Sequence, residues 1–322
     1  MKALIMSELR QRTRGKRWWI VLGILFSIVL GLVTLIRAAM LRSLEFNPDP
    51  TVSIGSIMFG SLALLVLALI CLMAPSLTAT SINGERDRGT LAILQATTLR
   101  AWQIVLAKFV AALATAATFL AVTLPIALWA LAEGGVGVGK ALAVYLTLFG
   151  VTFVLLAGGL LASGLVRRPA LSALLSYGFV GFLTIGTLIL FGISTTTAES
   201  NPRTGAIDNG ARWLILAPNP FVVLADAAPE SGGEDLDDPL NSMRDAIRNV
   251  REPQPFLIDG TMTCTPSGEC ESTSTPPEPE EAAAVWPYGL GIQFALALFA
   301  LYVATERLRV PAKRLPRGER IA

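Results

Sequence analysis

One glycine-rich segment of the chain has the residue types and spacing of a nucleotide-binding site. Residues 134–140 read Gly-Gly-Val-Gly-Val-Gly-Lys, which fits the first seven positions of a phosphate-binding P-loop. Ala141 stands where that loop needs a Ser or Thr to hold magnesium, and a long apolar run precedes the glycines instead of a strand. We therefore interpret the segment as a turn between two membrane helices, with Lys140 at the lipid headgroups. We do not expect ATP to bind through this motif.

Catalytic and metal chemistry find little support elsewhere in the sequence. The chain contains no histidine, so the commonest general base and the commonest metal ligand are missing. A Ser-His-Asp or Cys-His arrangement cannot form, and the apolar stretches hold no carboxylate pair of the kind a membrane-embedded protease or transferase needs. We expect no catalytic residue, no metal site and no cofactor bound by the chain, and thus a protein that is not itself an enzyme.

The composition and the apolar runs predict the elements that must position these residues. The 322 residues are 53% hydrophobic and 16% charged, whereas soluble domains are about 25% charged. A spanning helix needs about 17–25 mainly apolar residues, and six stretches meet this condition. The predicted spans cover residues 18–36, 54–80, 102–131, 141–166, 170–193 and 286–305. We predict a multi-pass membrane protein.

Lysine and arginine predict which side of the membrane each connection occupies. Residues 1–17 carry six of them, the second-to-third connection three, the fourth-to-fifth two, and the tail after residue 305 six. The alternate short connections hold Arg42 alone. Because cytoplasmic loops carry the excess of positive charge, both termini are expected in the cytoplasm, with the chain in the cell membrane. Arg37, near the outer end of the first span, is expected to extend to the lipid headgroups.

The connection 194–285 is the long outer segment in this topology. It holds sixteen acidic residues against five arginines. Its part 211–226 has two short apolar runs separated by prolines, which predict re-entrant or interfacial helices at the outer mouth or, alternatively, a buried helix of a small outer domain. Residues 240–250 are a candidate amphipathic helix. The acidic, Pro- and Ser-rich parts resemble solvated linkers.

Three cysteines occur in the sequence. Cys71 lies in the second span and is interpreted as a small packed residue. Cys264 and Cys270 bracket a turn-forming Thr-Pro-Ser-Gly-Glu segment in the outer connection. An oxidising outer face favours a disulfide between them, and a metal site is the weaker alternative because the usual additional ligands are missing.

The connection between the second and third spans holds a charged cluster beside a short apolar segment. Residues 81–100 read Ser-Ile-Asn-Gly-Glu-Arg-Asp-Arg-Gly-Thr-Leu-Ala-Ile-Leu-Gln-Ala-Thr-Thr-Leu-Arg. Asn83-Gly84 is expected to end the helix that leaves the membrane, and Gly89-Thr90 to begin a new one. A short amphipathic helix held under the bilayer suits docking on a cytoplasmic partner. The alternative is a solvated loop, since charge runs usually are solvated.

This stretch, continued by Ala-Trp-Gln-Ile-Val-Leu-Ala-Lys to residue 108, resembles the second-to-third-span signature of type-2 ATP-binding-cassette (ABC) transporter permeases. The family pattern has an acidic residue, Gly-Thr-Leu, a Leu-rich turn, a polar pair and Ile-Val-Leu-Gly-Lys. Lys108 matches its last position, and Ala107 replaces the usual Gly. The resemblance implies a coupling helix that sits in a cleft of the ATPase subunit. The residues expected to couple to the ATPase are Asn83, Gly84, Glu85, Arg86, Asp87, Arg88, Gly89, Thr90, Leu91 and Leu94.

The resemblance also implies a fold: an all-α membrane protein with six transmembrane helices, an amphipathic N-terminal helix, a cytoplasmic coupling helix and a large outer insertion between helices five and six. Residues 1–17 resemble the family's connecting helix, and Pro-Asn-Pro-Phe at 218–221 resembles an element before its outer re-entrant helices. The expected divisions are 1–17, 18–193, 194–285, 286–305 and a basic tail, 306–322.

The resemblance implies that the chain is one of two membrane subunits of a transporter. Two permeases, identical or different, would face one another, and each would rest on a separate ABC ATPase that binds the ATP. Most such permeases are exporters, and the nearly uncharged spans suit a lipid, a drug or another amphipathic cargo. The alternative is a non-transporting membrane scaffold that relays ATPase motion to an extracytoplasmic partner. Membrane lipids are the expected surroundings, and no nucleic acid partner is expected.

Overall fold

The computed structural model describes residues 2–13, 15–46, 53–87, 100–197, 211–229, 238–251, 262–264, 270–272 and 283–308. Helices make up most of these residues. In chain order they are α1 (Lys2–Thr13), α2 (Lys16–Phe46), α3 (Ile54–Thr78), α4 (Asn83–Asp87), α5 (Ala101–Ala132), α6 (Val138–Leu165), α7 (Pro169–Gly181), α8 (Thr187–Thr195), α9 (Pro220–Ala227), α10 (Pro239–Arg251) and α11 (Trp286–Leu308). A π turn, Phe182–Gly186, joins α7 to α8, and a 3-10 turn, Arg212–Ile215, precedes α9.

Six helical segments are long and apolar enough to cross a membrane, which confirms the predicted number of spans. Spans 1 to 6 are Trp18–Phe46, Ile54–Arg86, Ala101–Ala132, Val138–Leu165, Pro169–Thr195 and Trp286–Leu308. Span 1 continues well past the predicted end at residue 36, because Ala, Met, Leu and Arg follow, and these are good helix formers even where hydropathy falls. We call the end of the bundle that carries α9 and α10 the outer end, and the opposite end the inner end.

Spans 2, 3 and 4 form the core of the bundle. Between 56% and 61% of their most apolar windows is buried, against 17–28% for spans 1, 5 and 6. An aromatic cluster ties span 3 to spans 4 and 6: the ring centroids of Phe109 and Phe153 are 4.7 Å apart, and those of Phe153 and Phe294 are 5.6 Å apart. Because Phe109 is 2% exposed, its truncation to Ala should cost about 3–5 kcal/mol.

The N-terminal helix α1 lies along the inner end of span 3. The sequence predicts an amphipathic helix, and the helix itself is present, but its faces are not divided into apolar and polar. The side that is partly buried carries Leu4 and Ile5 together with Glu8 and Arg12, while Met6 is exposed. The physical reason is that the two charged side chains bind groups on the spans and therefore belong on the inward face.

The segment before span 6 folds against the outer ends of the spans. Helix α9 is buried along most of its length among spans 4 and 6 and α10. Asn219, which caps α9, donates from Nδ2 to the Thr184 carbonyl oxygen at 2.7 Å and to Thr187 Oγ1 at 2.9 Å, which fixes it to the π turn of span 5. The burial of α9 fits a helix of a small outer substructure, and α10 confirms the helix predicted over 240–250.

The glycine-rich turn between spans 3 and 4 is a defined turn. Gly134 and Gly135 have φ angles of +96° and +78°, which glycine adopts without strain. Their carbonyl oxygens accept hydrogen bonds from the side chains of Ser53 and Ser56 at the start of span 2.

The expectation that Lys140 reaches the headgroups is wrong. Lys140 is 3% exposed, and its Nζ lies 2.5 Å from Asp238 Oδ2 and 3.0 Å from Asn241 Oδ1. The lysine turns inward because α10 places a carboxylate against it, and a buried ammonium group requires such a partner. This ion pair fastens α10 to span 4.

Arg37 also differs from the expectation. Its Nε donates to Glu133 Oε1 at 2.7 Å, and its guanidinium group lies 5.9 Å from the centre of the Trp129 ring. Arg37 therefore binds the outer end of span 3, because a carboxylate and an aromatic face within the protein take the place of lipid headgroups.

A short antiparallel ladder is the departure from an all-helical fold within the described residues. It pairs β1 (Met262–Cys264) with β2 (Cys270–Ser272). The register places Cys264 directly opposite Cys270. The backbone thus brings together the two cysteines that the sequence analysis paired.

Candidate functional site

The inner end of span 2 is held in a tight turn by neighbouring spans. Helix α3 ends at Thr78, and the short helix α4 begins at Asn83. Ser163 Oγ of span 4 accepts the backbone N–H groups of Ile82 and Asn83 at 2.9 and 3.3 Å. Ser172 Oγ of span 5 donates to the Ala79 carbonyl oxygen at 2.6 Å. These bonds satisfy backbone groups that a helix end leaves unpaired.

The position of the break corrects the sequence prediction. The helix was expected to end at Asn83-Gly84, but it ends at Thr78, five residues before Asn83, and Asn83 begins the next helix. The amide of Asn83 is fully buried, and its Nδ2 donates to the Val166 carbonyl oxygen at 3.5 Å. Asparagine favours a turn when only the local sequence is considered. Here its side chain attaches α4 to the end of span 4, and Asn83 therefore lies in a helix instead of a break.

A buried ion triad lies beside this turn and joins three helices. Lys108 of span 3 is 2% exposed. Its Nζ lies 2.9 Å from Glu8 Oε1 of α1 and 2.5 Å from Glu85 Oε1 of α4. Both carboxylates are themselves largely buried, with 12% and 17% of their side chains exposed. We call Glu8, Glu85 and Lys108 the inner triad.

The inner triad depends above all on its one cation. The ammonium group lies between two carboxylates in a poorly solvated position, so it is the counter-charge that both of them share. Removing one partner of a buried pair costs about 3–5 kcal/mol, because the remaining charge is left without compensation. The three helices are therefore held in one arrangement, and a displacement of α4 must move α1 and span 3 or break an ion pair.

A second contact connects α1 to span 2 beside the inner triad. Arg12 Nη1 donates to the Leu77 carbonyl oxygen at 3.2 Å. Burial lowers the pKa of Arg12, and the carboxylate of Glu8 acts in the opposite direction. The guanidinium group nevertheless stays charged at neutral pH. It binds a carbonyl oxygen of the last turn of α3, where cations are favoured by the helix dipole.

The predicted coupling residues fall partly within the described chain. Asn83, Gly84, Glu85, Arg86 and Asp87 make up helix α4. The others lie outside the described residues: Arg88, Gly89, Thr90, Leu91 and Leu94. The first half of the predicted segment therefore forms α4 and contributes Glu85 to the inner triad.

Two residues of this site were not singled out from the sequence. Glu8 is the one acidic residue within 1–17, and that isolated charge is the signal that could have identified it. Ser163 carries no such signal, because a serine in an apolar span commonly bonds only to its own helix. Lys108 was noted as a match to the family pattern, but its partners were not.

The described residues of the site join α1, α4 and spans 3, 4 and 5 through ion pairs and hydrogen bonds. A comparison with protein families matches residues 3–250 to the family described as ABC-2 family transporter protein. The chain belongs to this family. An ABC-2 permease is a membrane transport component. The match to the ABC-2 family includes the whole inner triad and the first five spans. A search of curated proteins gives no significant match.

Proposed function

We propose that this ABC-2 permease is one transmembrane half of an ATP-driven exporter, and that a separate ABC ATPase docks on the segment that begins with α4. The observation that carries the proposal is the inner triad. Through Lys108, the segment expected to contact the ATPase is ion-paired to span 3 and to α1. ATP binds to the partner subunit in this account, and the permease converts its closure into movement of the spans.

The triad supports this role because one of its members, Glu85, lies near the start of the proposed coupling segment. A rigid transmission needs an element that resists deformation, and a buried ion pair resists separation. The hydrogen bonds of Ser163 and Ser172 add contacts from spans 4 and 5 to the same turn. A force applied to residues 83–94 would therefore reach spans 2, 3, 4 and 5 together.

The cargo we propose is a lipid, a drug or another amphipathic compound. The described charges of the spans lie toward their ends. Those at the outer end are Arg37, Arg42, Glu45 and Lys140, and those at the inner end are Glu85, Arg86, Lys108, Glu306 and Arg307. A proton- or sodium-coupled transporter uses carboxylates near the middle of the membrane instead. The spans offer hydroxyl groups in their interiors, and most of these bond to their own helices.

Two permeases facing one another complete the transporter in this proposal, with both termini of each in the cytoplasm. The orientation follows from the lysine and arginine counts. The alternative is a non-transporting scaffold that relays ATPase motion to an extracytoplasmic partner through the outer substructure. ATP hydrolysis that responds to a defined lipid or drug would favour the exporter, and hydrolysis indifferent to all membrane-soluble compounds would favour the scaffold.

The experiment that tests the proposal separates ATP hydrolysis from transport. The complex is reconstituted in vesicles, and both rates are measured for Glu85→Ala and Gly89→Pro. Coupling energies between sites are about 1–3 kcal/mol, or about 5–150-fold, so transport should fall by about that factor while ATP hydrolysis continues and the protein still inserts. Gly137→Pro is the matched control, because Gly137 lies in the outer turn with a φ of −73° that proline adopts. Unchanged transport in both coupling variants would contradict the proposed site.

A further inference from the structure

The exposed side of α1 carries only positive charge among its described residues. Residues 1–17 hold six lysines and arginines and one acidic residue, Glu8. Glu8 lies on the inward face, where it is paired with the lysine of the inner triad, and Arg12 lies there too, bound to a carbonyl oxygen. Arg10 is on the exposed side. The helix therefore directs its anion into the protein and a cation away from it.

The first turns of α2 continue this surface into the membrane. Lys16, Trp19 and Ile20 stand at positions i, i+3 and i+4, so they share one side of the helix. All three are exposed, Trp19 by 66% and Ile20 by 58%. The apolar span begins at Trp18, which lies about 3 Å beyond Lys16 along the helix axis. Lys16 is therefore at the level of the lipid headgroups, and Trp19 is where tryptophan meets them.

The two cations of this surface are not used by the described part of the chain. The side chains of Arg10 and Lys16 make no ion pair or hydrogen bond to a described residue. Guanidinium and ammonium groups bind phosphate oxygens through charge-assisted hydrogen bonds. From the inner end toward the middle of the membrane, the surface thus presents a cation, an indole ring and an aliphatic side chain. The parts of a phospholipid follow in the same order: phosphate, interface and acyl chain.

We propose that Arg10, Lys16, Trp19 and Ile20 form a binding surface for anionic phospholipids of the leaflet at the inner end. The two cations bind lipid phosphates, Trp19 lies among the headgroups, and Ile20 contacts acyl chains. Basic clusters directly beside a membrane span attract anionic lipids in this way. We call these four residues the basic surface. It does not depend on the proposed export activity, since the lipid binds whether or not an ATPase is present.

A membrane fits the basic surface better than an acidic face of a soluble partner. Trp19 and Ile20 belong to span 1, so a partner that covered them would have to enter the bilayer. Lys16 lies on the same side of the same helix and faces the same surroundings. Lipid is therefore the occupant that reaches the cation and the two apolar side chains together.

The first experiment measures lipid contact at Trp19 itself. The full-length chain is reconstituted in phosphatidylcholine vesicles that contain, at equal mole fraction, phosphatidylglycerol or phosphatidylcholine with dibrominated acyl chains. Bromine quenches tryptophan fluorescence on contact, and comparison with Trp19→Phe gives the part of the signal that comes from Trp19. We expect brominated phosphatidylglycerol to bind beside Trp19 about fivefold more strongly than brominated phosphatidylcholine, the factor that one cation near an anionic surface contributes.

The second experiment removes the charge. The double variant Arg10→Gln, Lys16→Gln should lose the preference for phosphatidylglycerol, because no cation of the basic surface remains. The matched control is the double variant Arg167→Gln, Arg168→Gln. It also removes two exposed cations, but from the connection between spans 4 and 5, whereas span 1 packs against spans 2 and 3. We expect this control to keep the preference of the wild type.

Four results would overturn the proposal. Equal quenching of the wild type by the two brominated lipids would mean that the surface does not select anionic lipid. An equal loss of preference in both double variants would mean that the inner end as a whole attracts such lipids. Quenching of Trp19 by neither lipid would place it against another protein surface, such as a second copy of the chain. An Arg10→Gln, Lys16→Gln variant that keeps the preference but no longer retains an ABC ATPase would assign the cations to that partner.

Discussion

Replacing Lys108 by methionine removes the cation that Glu8 and Glu85 share, while keeping the length of the side chain. The lysine Nζ lies 2.9 and 2.5 Å from the two carboxylates, so both lose this ion pair at once. Losing one partner of a buried pair costs about 3–5 kcal/mol. Because the carboxylates keep 12% and 17% exposure and so retain some hydration, we expect a loss at the lower end, about 3 kcal/mol in the free energy of unfolding.

The assay is reversible unfolding in mixed micelles by a titration with dodecyl sulfate, followed by the loss of helical circular dichroism. Three proteins are compared: the wild type, Lys108→Met, and a triple variant that adds Glu8→Gln and Glu85→Gln. The triple variant has no buried charge left without a partner, so we expect it to regain most of the loss. Arg10→Gln is the control, since Arg10 lies on the exposed side of α1.

Two results would refute this reasoning. A loss below about 1 kcal/mol for Lys108→Met would mean that the contacts behave as an exposed surface pair. A triple variant no more stable than Lys108→Met would mean that the effect comes from the shape of the lysine and not from uncompensated charge.

Three further predictions concern the outer end. Cys264 and Cys270 should be joined in a disulfide. Opposite residues of an antiparallel ladder have Cα atoms about 4.5–5.5 Å apart, and the Cα atoms of a disulfide are about 4.4–6.8 Å apart. Free thiols at both positions in protein from native membranes would count against this prediction. The hydrogen bond from Arg37 lowers the pKa of Glu133, so this contact stabilises the protein above the ordinary glutamate pKa and is lost as the pH falls through the lowered pKa. Glu133→Gln should remove that acid dependence of Tm, and a variant as acid-sensitive as the wild type would contradict it. Replacing residues 231–281 by a short linker removes α10 and its ion pair with span 4, so we expect a lower Tm; an unchanged Tm would show that α10 does not stabilise the bundle.

The spans could be predicted from the sequence because a bilayer imposes a local requirement. About twenty apolar residues must follow one another in any helix that crosses, and each run satisfies this condition without reference to the rest of the chain. The family could also be recognised, since its signature is contiguous between Glu85 and Lys108.

The contacts of the site could not be predicted in the same way. Glu8 and Lys108 are a hundred positions apart, and Lys140 and Asp238 nearly as far. No local pattern encodes such a pairing, because it depends on how the helices pack. The error at Lys140 follows from this. The local sequence contains a glycine turn and a lysine, which is typical of a headgroup contact, while the carboxylate that pairs with the lysine directly precedes α10.

The central claim is that an ABC ATPase docks on the segment that begins with α4. The most direct measurement is an affinity purification of the tagged chain from its native membrane in mild detergent, with identification of the proteins that accompany it. We expect an ABC ATPase to be recovered with the wild type and to be lost when residues 85–91 are replaced, in a variant whose membrane insertion is unchanged. Recovery of the chain alone, or of an ATPase that remains bound to the variant, would contradict the account.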